Sequence, residues 1–325
     1  MIFRQTGITG PTLPVLTLGL MVRDCRPGAP YDSVRKTVLA AVEAGITSVD
    51  LATGYGGGAV ETAFGAILRQ DLSRHRSTLF LATKAGWGDG SPRTLSDSLD
   101  RSLRQLGVDH VDLYYHHAPD ANTPFEVTAD ALASLVRQGK TRYVGLSNYS
   151  TEQTIRMAGL LHATGAPCIL HQANYNPLNR WVEDSLLKTL PGFNMGMAVF
   201  SALNQGLLSN RSIPTPRAGS RAEKAWQALV SGVQTGEPAY GRYPAGADVR
   251  EHILRMLSRL RAIADGRGQT LEQMVLAWIL RHPQVTTVLV GLSEPEQVPA
   301  VAGALNQPAF TADELRQIES ILPPR

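Results

Sequence analysis

Short apolar runs alternate along this chain with longer segments in which apolar residues recur every three or four positions. The runs read as strands, and the periodic segments as helices that bury one face. Strands are predicted at 15–20, in the run ending at Asp50, and at 79–83, 111–115, 142–147, 169–173, 195–200 and 288–290. Between the first two strands, Val34, Val38, Ala41 and Val42 share a helix face and Gly45 is placed to close it. Ser91 and Pro92 offer an N-cap followed by proline at the first helical position, and Leu95, Leu99, Leu103 and Leu106 form one stripe ending at Gly107. Ser150 with Gln153, Thr270 with Gln273, Ser293 with Glu296, and Thr311 with Glu314 match the capping-box spacing. Gly7, Gly10, Pro11 and Pro14 break the opening segment into a hairpin expected to plug a barrel floor.

Eight strands alternating with helices predict an α/β fold, a closed (β/α)8 TIM barrel. A doubly wound open sheet would carry a glycine-rich fingerprint after its first strand, which Leu18-Gly19-Leu20-Met21 does not supply. Residues 1–325 are expected to form one domain. The exception to the rhythm is 204–249, after strand seven, rich in Pro, Gly, Ser and Arg and read as a long functional loop.

Composition narrows the function. The 325 residues are 43% hydrophobic and 18% charged, as in an ordinary soluble globule. A net charge of +3 without long basic runs gives no reason to expect nucleic acid. Cys25 and Cys168 form neither a disulfide framework nor a metal-ligand pattern, so no metal and a reducing compartment are expected. No run suits a signal peptide or a membrane span, which makes a cytoplasmic protein the expectation.

The candidate chemistry lies at strand ends. One run delivers Asp50 and then Tyr55 in a glycine-rich turn, the next delivers Lys84, and the third delivers His116 and His117. In a parallel barrel those ends share one mouth. An ammonium about 4 Å from a phenol, at an effective dielectric of ~20, favours the phenolate by roughly 4 kcal/mol, or about 3 pK units. Asp50 would aim Lys84, Tyr55 would act as a general acid, and His117 would donate a hydrogen bond to a substrate oxygen. That set suits protonation of a carbonyl oxygen as hydride reaches its carbon. Each residue alone also has a structural reading, such as a turn cap for Asp50 or a solvated charge for Lys84.

Asp50-Leu-Ala-Thr-Gly-Tyr55-Gly, Thr83-Lys84, the run from Val111 to His117, and Gly145-Leu-Ser-Asn148-Tyr149 resemble the aldo-keto reductase family over nearly the whole chain. The segments 172–181, 205–208 and 288–293 are most similar to its branch of bacterial L-glyceraldehyde 3-phosphate reductases and potassium-channel β-subunits. The resemblance implies a nicotinamide cofactor across the mouth, clasped by the 204–249 loop, and Asp50, Tyr55, Lys84 and His117 as catalytic tetrad. It places Ser147, Asn148 and Gln172 on the nicotinamide carboxamide and Phe200 under the ring. It puts Gln205, Gly206, Leu207 and Arg211 at the pyrophosphate, Ser293 and Gln297 near the adenosine, and Met21, Trp87, Tyr149, Arg180 and Trp181 at the substrate pocket. Gly291 and Gln297 stand where many members carry Lys and Arg for a 2′-phosphate, yet Arg221 lies in a triplet, Ser220-Arg221-Ala222, resembling the branch motif. NADPH is therefore expected, with NADH the alternative. The expected activity is reduction of a small polar aldehyde or ketone. The alternatives are a ketoreductase of a deoxysugar or secondary-metabolite pathway, and a cofactor-holding redox sensor. In the sensor branch the resemblance implies Asn at the position of His117. Branch relatives also imply a homo-oligomer.

Overall fold

The computed structural model describes residues 1–20, 32–85, 87–212, 217–231 and 247–322. At the N-terminus β1 (Phe3–Gln5) and β2 (Thr12–Pro14) pair antiparallel as a hairpin. Eight further strands follow: β3 (Leu16–Gly19), β4 (Ser48–Asp50), β5 (Phe80–Lys84), β6 (Val111–His116), β7 (Thr141–Ser147), β8 (Cys168–Asn174), β9 (Gly196–Phe200) and β10 (Val285–Val290). They close in sequence order, β10 pairing with β3, and every pairing in the ring is parallel. Each predicted strand is present, with ends displaced by a few residues at most.

The helices are α1 (Asp32–Glu43), α2 (Ala59–Gln70), α3 (Pro92–Leu106), α4 (Phe125–Arg137), α5 (Thr151–Ala163) and α6 (Leu186–Thr189). They continue as α7 (Arg221–Ser231), α8 (Ala247–Gly266), α9 (Leu271–Ile279), α10 (Gln297–Ala302) and α11 (Ala312–Ile321). Their apolar stripes face the strands: Val34, Val38 and Ala41 of α1 are buried, as are Leu95, Leu99 and Leu106 of α3. Ser91 caps α3 by accepting from the Thr94 N–H, and Gly107 ends it at φ +69°. Three of the four capping boxes form, at Ser150, Thr270 and Thr311. The fourth does not. Gln297 instead turns its Oε1 back to accept from the backbone N–H groups of Ser293 at 2.8 Å and Glu294 at 3.2 Å, and α10 starts at Gln297 itself.

The hairpin closes the barrel's N-terminal end, as expected. Arg4 donates to the carbonyls of Leu280, His282 and Val285 around the start of β10. Asn194, just ahead of β9, accepts from the N–H groups of Ile8 and Thr9. Leu13 then packs with Leu113, Tyr115, Leu170 and Ala198 inside the barrel. A cavity of only about 10 Å³ separates it from Asp50, so the interior is a filled core. The stretch read as a loop at 204–249 is partly helical. Ala222, Ala225 and Trp226 of α7 are buried at helical spacing, a stripe too short to stand out between Pro- and Gly-rich flanks. Among the described residues no helix is long and apolar enough to cross a membrane.

Candidate active site

The strand ends divide the barrel mouth into two arcs. The first arc, β4 to β6, assembles the four residues singled out in the sequence. Asp50 ends β4, Lys84 ends β5, and His117 directly follows β6. Tyr55 opens a 3-10 turn, Tyr55–Gly58, that leads into α2. Gly56, Gly57 and Gly58 take φ of +60°, +68° and +90°, a left-handed run open to glycine at no steric cost.

Lys84 is wholly buried. Its ammonium donates to Asp50 Oδ1 and, at 2.9 Å, to the Leu51 carbonyl, which occupies two of three protons. Nζ lies 5.1 Å from the centre of the Tyr55 ring. Burial opposes the charge, but Asp50 and Tyr55 outweigh it, so Lys84 titrates above its ordinary value. The second oxygen of Asp50, Oδ2, accepts from Gln172 Nε2 at 2.8 Å. Behind the pair, the Tyr115 ring fits where Gly145 has no side chain, since a Cβ there would fall 2.5 Å from it. Asp50 and Lys84 are thus sealed in, whereas Tyr55 and His117 are half-buried.

His117 makes edge-on ring contacts with Tyr55 at 6.1 Å and Trp87 at 4.9 Å. Its Nδ1 is 3.3 Å from the Ala85 carbonyl, which can only accept, so the contact places the ring proton on Nδ1. Desolvation, and then the charge of Lys84, push the imidazole down to about 3. The ring is therefore neutral near pH 7 and Nε2 carries a lone pair. This differs from the donor role expected from sequence: as placed, Nε2 offers an acceptor.

The second arc, β7 to β10, carries the residues matched to a cofactor. Ser147 ends β7, and Asn148 follows it at φ +61°, donating from Nδ2 to the His117 carbonyl at 2.9 Å. Gln172 lies in β8 beside Ser147, and Phe200 ends β9, half-buried. Ser201, Asn204 and Gln205 also have positive φ, of 53°, 45° and 57°. Non-glycine residues in this region cluster at ligand sites, because surrounding structure must hold the strain. Gly206 and Ala222 adjoin, a Cβ on the glycine falling 3.9 Å from that of Ala222, so the first turn of α7 packs on the Gln205–Leu207 segment. Gln205, Arg211 and Arg221 are exposed there, whereas the Leu207 side chain is core.

The model of the aldo/keto reductase family matches residues 16–323. This chain belongs to the aldo-keto reductase family. A relative from Escherichia coli strain K12, L-glyceraldehyde 3-phosphate reductase, is 39% identical over 98% of this chain and 91% of its own length. A putative voltage-gated potassium channel subunit beta from Schizosaccharomyces pombe is 29% identical, over 98% of this chain and 93% of its own. Among solved structures, a thermostable aldo-keto reductase in complex with the inhibitor epalrestat superposes with a TM-score of 0.77 at 25% identity, covering 99% of this chain and all of that one. The holo form of an aldo-keto reductase from Bacillus halodurans gives 0.78 at 24% identity, with 99% and 96% covered. The chain is an oxidoreductase of carbonyl compounds, and its family uses nicotinamide cofactors.

Within this aldo-keto reductase the expected substrate contacts divide. Trp87 is 65% exposed against His117, at the mouth. Trp181 donates from Nε1 to the Asn174 carbonyl, at the mouth end of β8. Met21 lies outside the described residues. Tyr149 and Arg180 are corrections. Tyr149 is buried, with its hydroxyl 2.5 Å from Nδ1 of His116, because its side chain packs under the helices with Phe125. Arg180 is buried in ion pairs with Glu183 and Glu319. Sequence reasoning missed Asn204, fully buried and with neither amide atom hydrogen-bonded among the described residues. A buried amide without a partner beside a strained loop is an orphaned polar group, which the polar groups of a dinucleotide bound there would fit. An Asn among Ala, Leu and Gln carried no periodicity to flag it.

Proposed function

We propose that this chain reduces a small polar aldehyde or ketone to its alcohol, using NADPH in preference to NADH, with Asp50, Tyr55, Lys84 and His117 as its catalytic group. The observation that carries the reading is the buried ammonium of Lys84, fixed by Asp50 and Leu51 and directed at a half-buried tyrosine. When bound, the nicotinamide cofactor would supply a hydride to the carbonyl carbon. As that bond forms, Tyr55 gives its hydroxyl proton to the carbonyl oxygen, and Lys84 stabilises the phenolate left behind. The alcohol leaves with that proton, and solvent water later returns one to the phenolate. Ser147, Asn148 and Gln172 would hold the carboxamide and Phe200 the ring face, since they stand at the ends of adjacent strands beside this group.

The bare Nε2 of His117 accepts from a hydroxyl, which suits a substrate carrying one beside its carbonyl. This agrees with the 39% identical relative, whose name specifies a glyceraldehyde phosphate. The NADPH preference rests on Arg221, exposed in the turn of α7 that packs on Gly206, with Arg211 nearer the pyrophosphate. Against it stands the use of Gln297 as a backbone cap. Steady-state assay of hydroxyaldehydes, simple aldehydes and ketones with both reduced cofactors tests the reading. Repeated turnover with NADPH and a hydroxyaldehyde supports it. Stoichiometric oxidation of bound cofactor without turnover across the panel would replace it with a sensor.

A further inference from the structure

Gln172 sits between the two arcs. From the middle of the mouth it donates, through Nε2, to Asp50 Oδ2 at 2.8 Å, in a setting where Gln172 and Asp50 are both nearly free of solvent. Its amide cannot be reversed. An ionised carboxylate only accepts, so a flipped amide would set two acceptors against each other in a buried space. The bond therefore fixes which end of the amide faces Asp50 and turns Oε1 away from it. Asp50 in turn has no oxygen to spare, with Lys84 on Oδ1 and Gln172 on Oδ2.

We propose that Gln172 is a positioning residue for proton delivery as well as a seat for the cofactor's amide: its Nε2 holds the Asp50 carboxylate in the orientation that aims Lys84 at Tyr55, while Oε1 remains for the carboxamide. Without that donor, Oδ2 is a buried anionic oxygen that has lost a hydrogen bond, and the carboxylate turns toward whatever donor it finds, the Tyr115 hydroxyl beside it included. Lys84 is held by that carboxylate, so its aim at Tyr55 goes with it. The seat of the hydride donor and the source of the proton would then share one side chain.

The kinetic part of this idea rests on the proposed function; its stability part does not. Gln172→Leu removes the donor at every pH, and kcat at saturating cofactor and aldehyde should fall about tenfold to hundredfold, the scale of one hydrogen bond to a charged group. Gln172→Glu is the same size but donates only while a proton is shared with Asp50. Its kcat should be low near neutral pH and recover toward wild type as pH is lowered. Other titratable groups facing this cluster are Lys84 and Tyr55 in front, Tyr115 behind, and Glu61 and His117 around Lys84. All of them are common to both proteins, so comparison with wild type removes their shared part, while their coupling to the new carboxyl belongs to the effect measured.

The cofactor-free protein gives a second reading. The Tm of Gln172→Glu relative to wild type should fall as pH rises and the shared proton is lost. A flat Tm difference, or a Gln172→Leu enzyme with normal kcat and only a raised KM for cofactor, would overturn the proposal. A pH-dependent Tm difference in a chain that turns over nothing in the panel would uphold the link to Asp50 and sink the substrate reading instead.

Discussion

The two arcs of the barrel mouth differ in how complete they are. From β4 to β6, Lys84 is buried, ion-paired to Asp50 and locked to the Leu51 carbonyl, and three left-handed glycines hold Tyr55 in its turn. From β7 to β10, Arg211 and Arg221 are exposed, four non-glycine residues hold positive φ, and Asn204 has an amide without partners among the described residues. One half is finished before any ligand arrives, and the other keeps polar groups in reserve. A proton donor must be preorganised to be useful, because reorganisation during reaction adds to the barrier. A dinucleotide seat, the role proposed for the second arc, can instead be completed by its ligand. Damage to the first arc should therefore appear in rate, and damage to the second in binding, except at Gln172, which reaches across to Asp50 and should affect rate.

The largest effect expected is at Lys84. Lys84→Met should lower kcat by about a hundred- to ten-thousandfold, the usual range for general acid catalysis, while the cofactor Kd measured by fluorescence titration stays near wild type. A comparable loss of cofactor affinity would erase the distinction between the arcs.

Glu183 supplies a control outside both arcs. Burial opposes its ionisation, but the His282 imidazole 3.6 Å away, hydrogen bonds from Arg180 and Tyr175 and the charge of Arg281 outweigh it, holding the carboxyl far below its usual range. Glu183→Ala should cost about 3–5 kcal/mol of stability in denaturant titration, since it strands buried cations. A folded-state pKa below the ordinary 4.5 means that this stability is full above about pH 4.5 and is lost as pH falls below it. The wild type should therefore destabilise more steeply than Glu183→Gln on acidification.

Arg221→Ala should weaken NADPH binding about tenfold to hundredfold and leave NADH nearly unchanged, whereas Arg211→Ala should weaken both. Equal losses for the two cofactors in Arg221→Ala would remove it from the 2′-phosphate. His117→Ala is expected to have the smallest and most selective effect, greater for hydroxyaldehydes than for simple aldehydes of the same size. With the imidazole pushed down to about 3, it stays neutral through the assay range, and the kcat profile should show no step near 6.5 from this residue. Such a step, absent in His117→Ala, would give His117 a proton-transfer role.

The barrel was legible from sequence because strand runs, Gly45, Gly107 and three capping boxes all point the same way. The positions of Asp50, Lys84 and His117 were legible for a related reason, since the end of a parallel strand has only one mouth to face. Side-chain direction was harder to read. Tyr149 and Arg180 lie in mouth loops, yet each turns into a buried network with His116 or Glu183, and no pattern in the neighbouring residues shows that turn. The α10 start was misread because Gln297 outcompeted Glu296 for the cap. The tautomer of His117 depends on a carbonyl at Ala85, 32 residues away in sequence, which only the fold brings within reach.

The claim that Lys84 and Tyr55 deliver the proton as one unit is tested most directly by a double-mutant cycle in kcat at saturating cofactor. Tyr55→Phe and Lys84→Met should each remove most turnover, and the double mutant should be scarcely slower than the worse single. If the double mutant's defect equals the product of the two single defects, the residues act independently and the account is wrong.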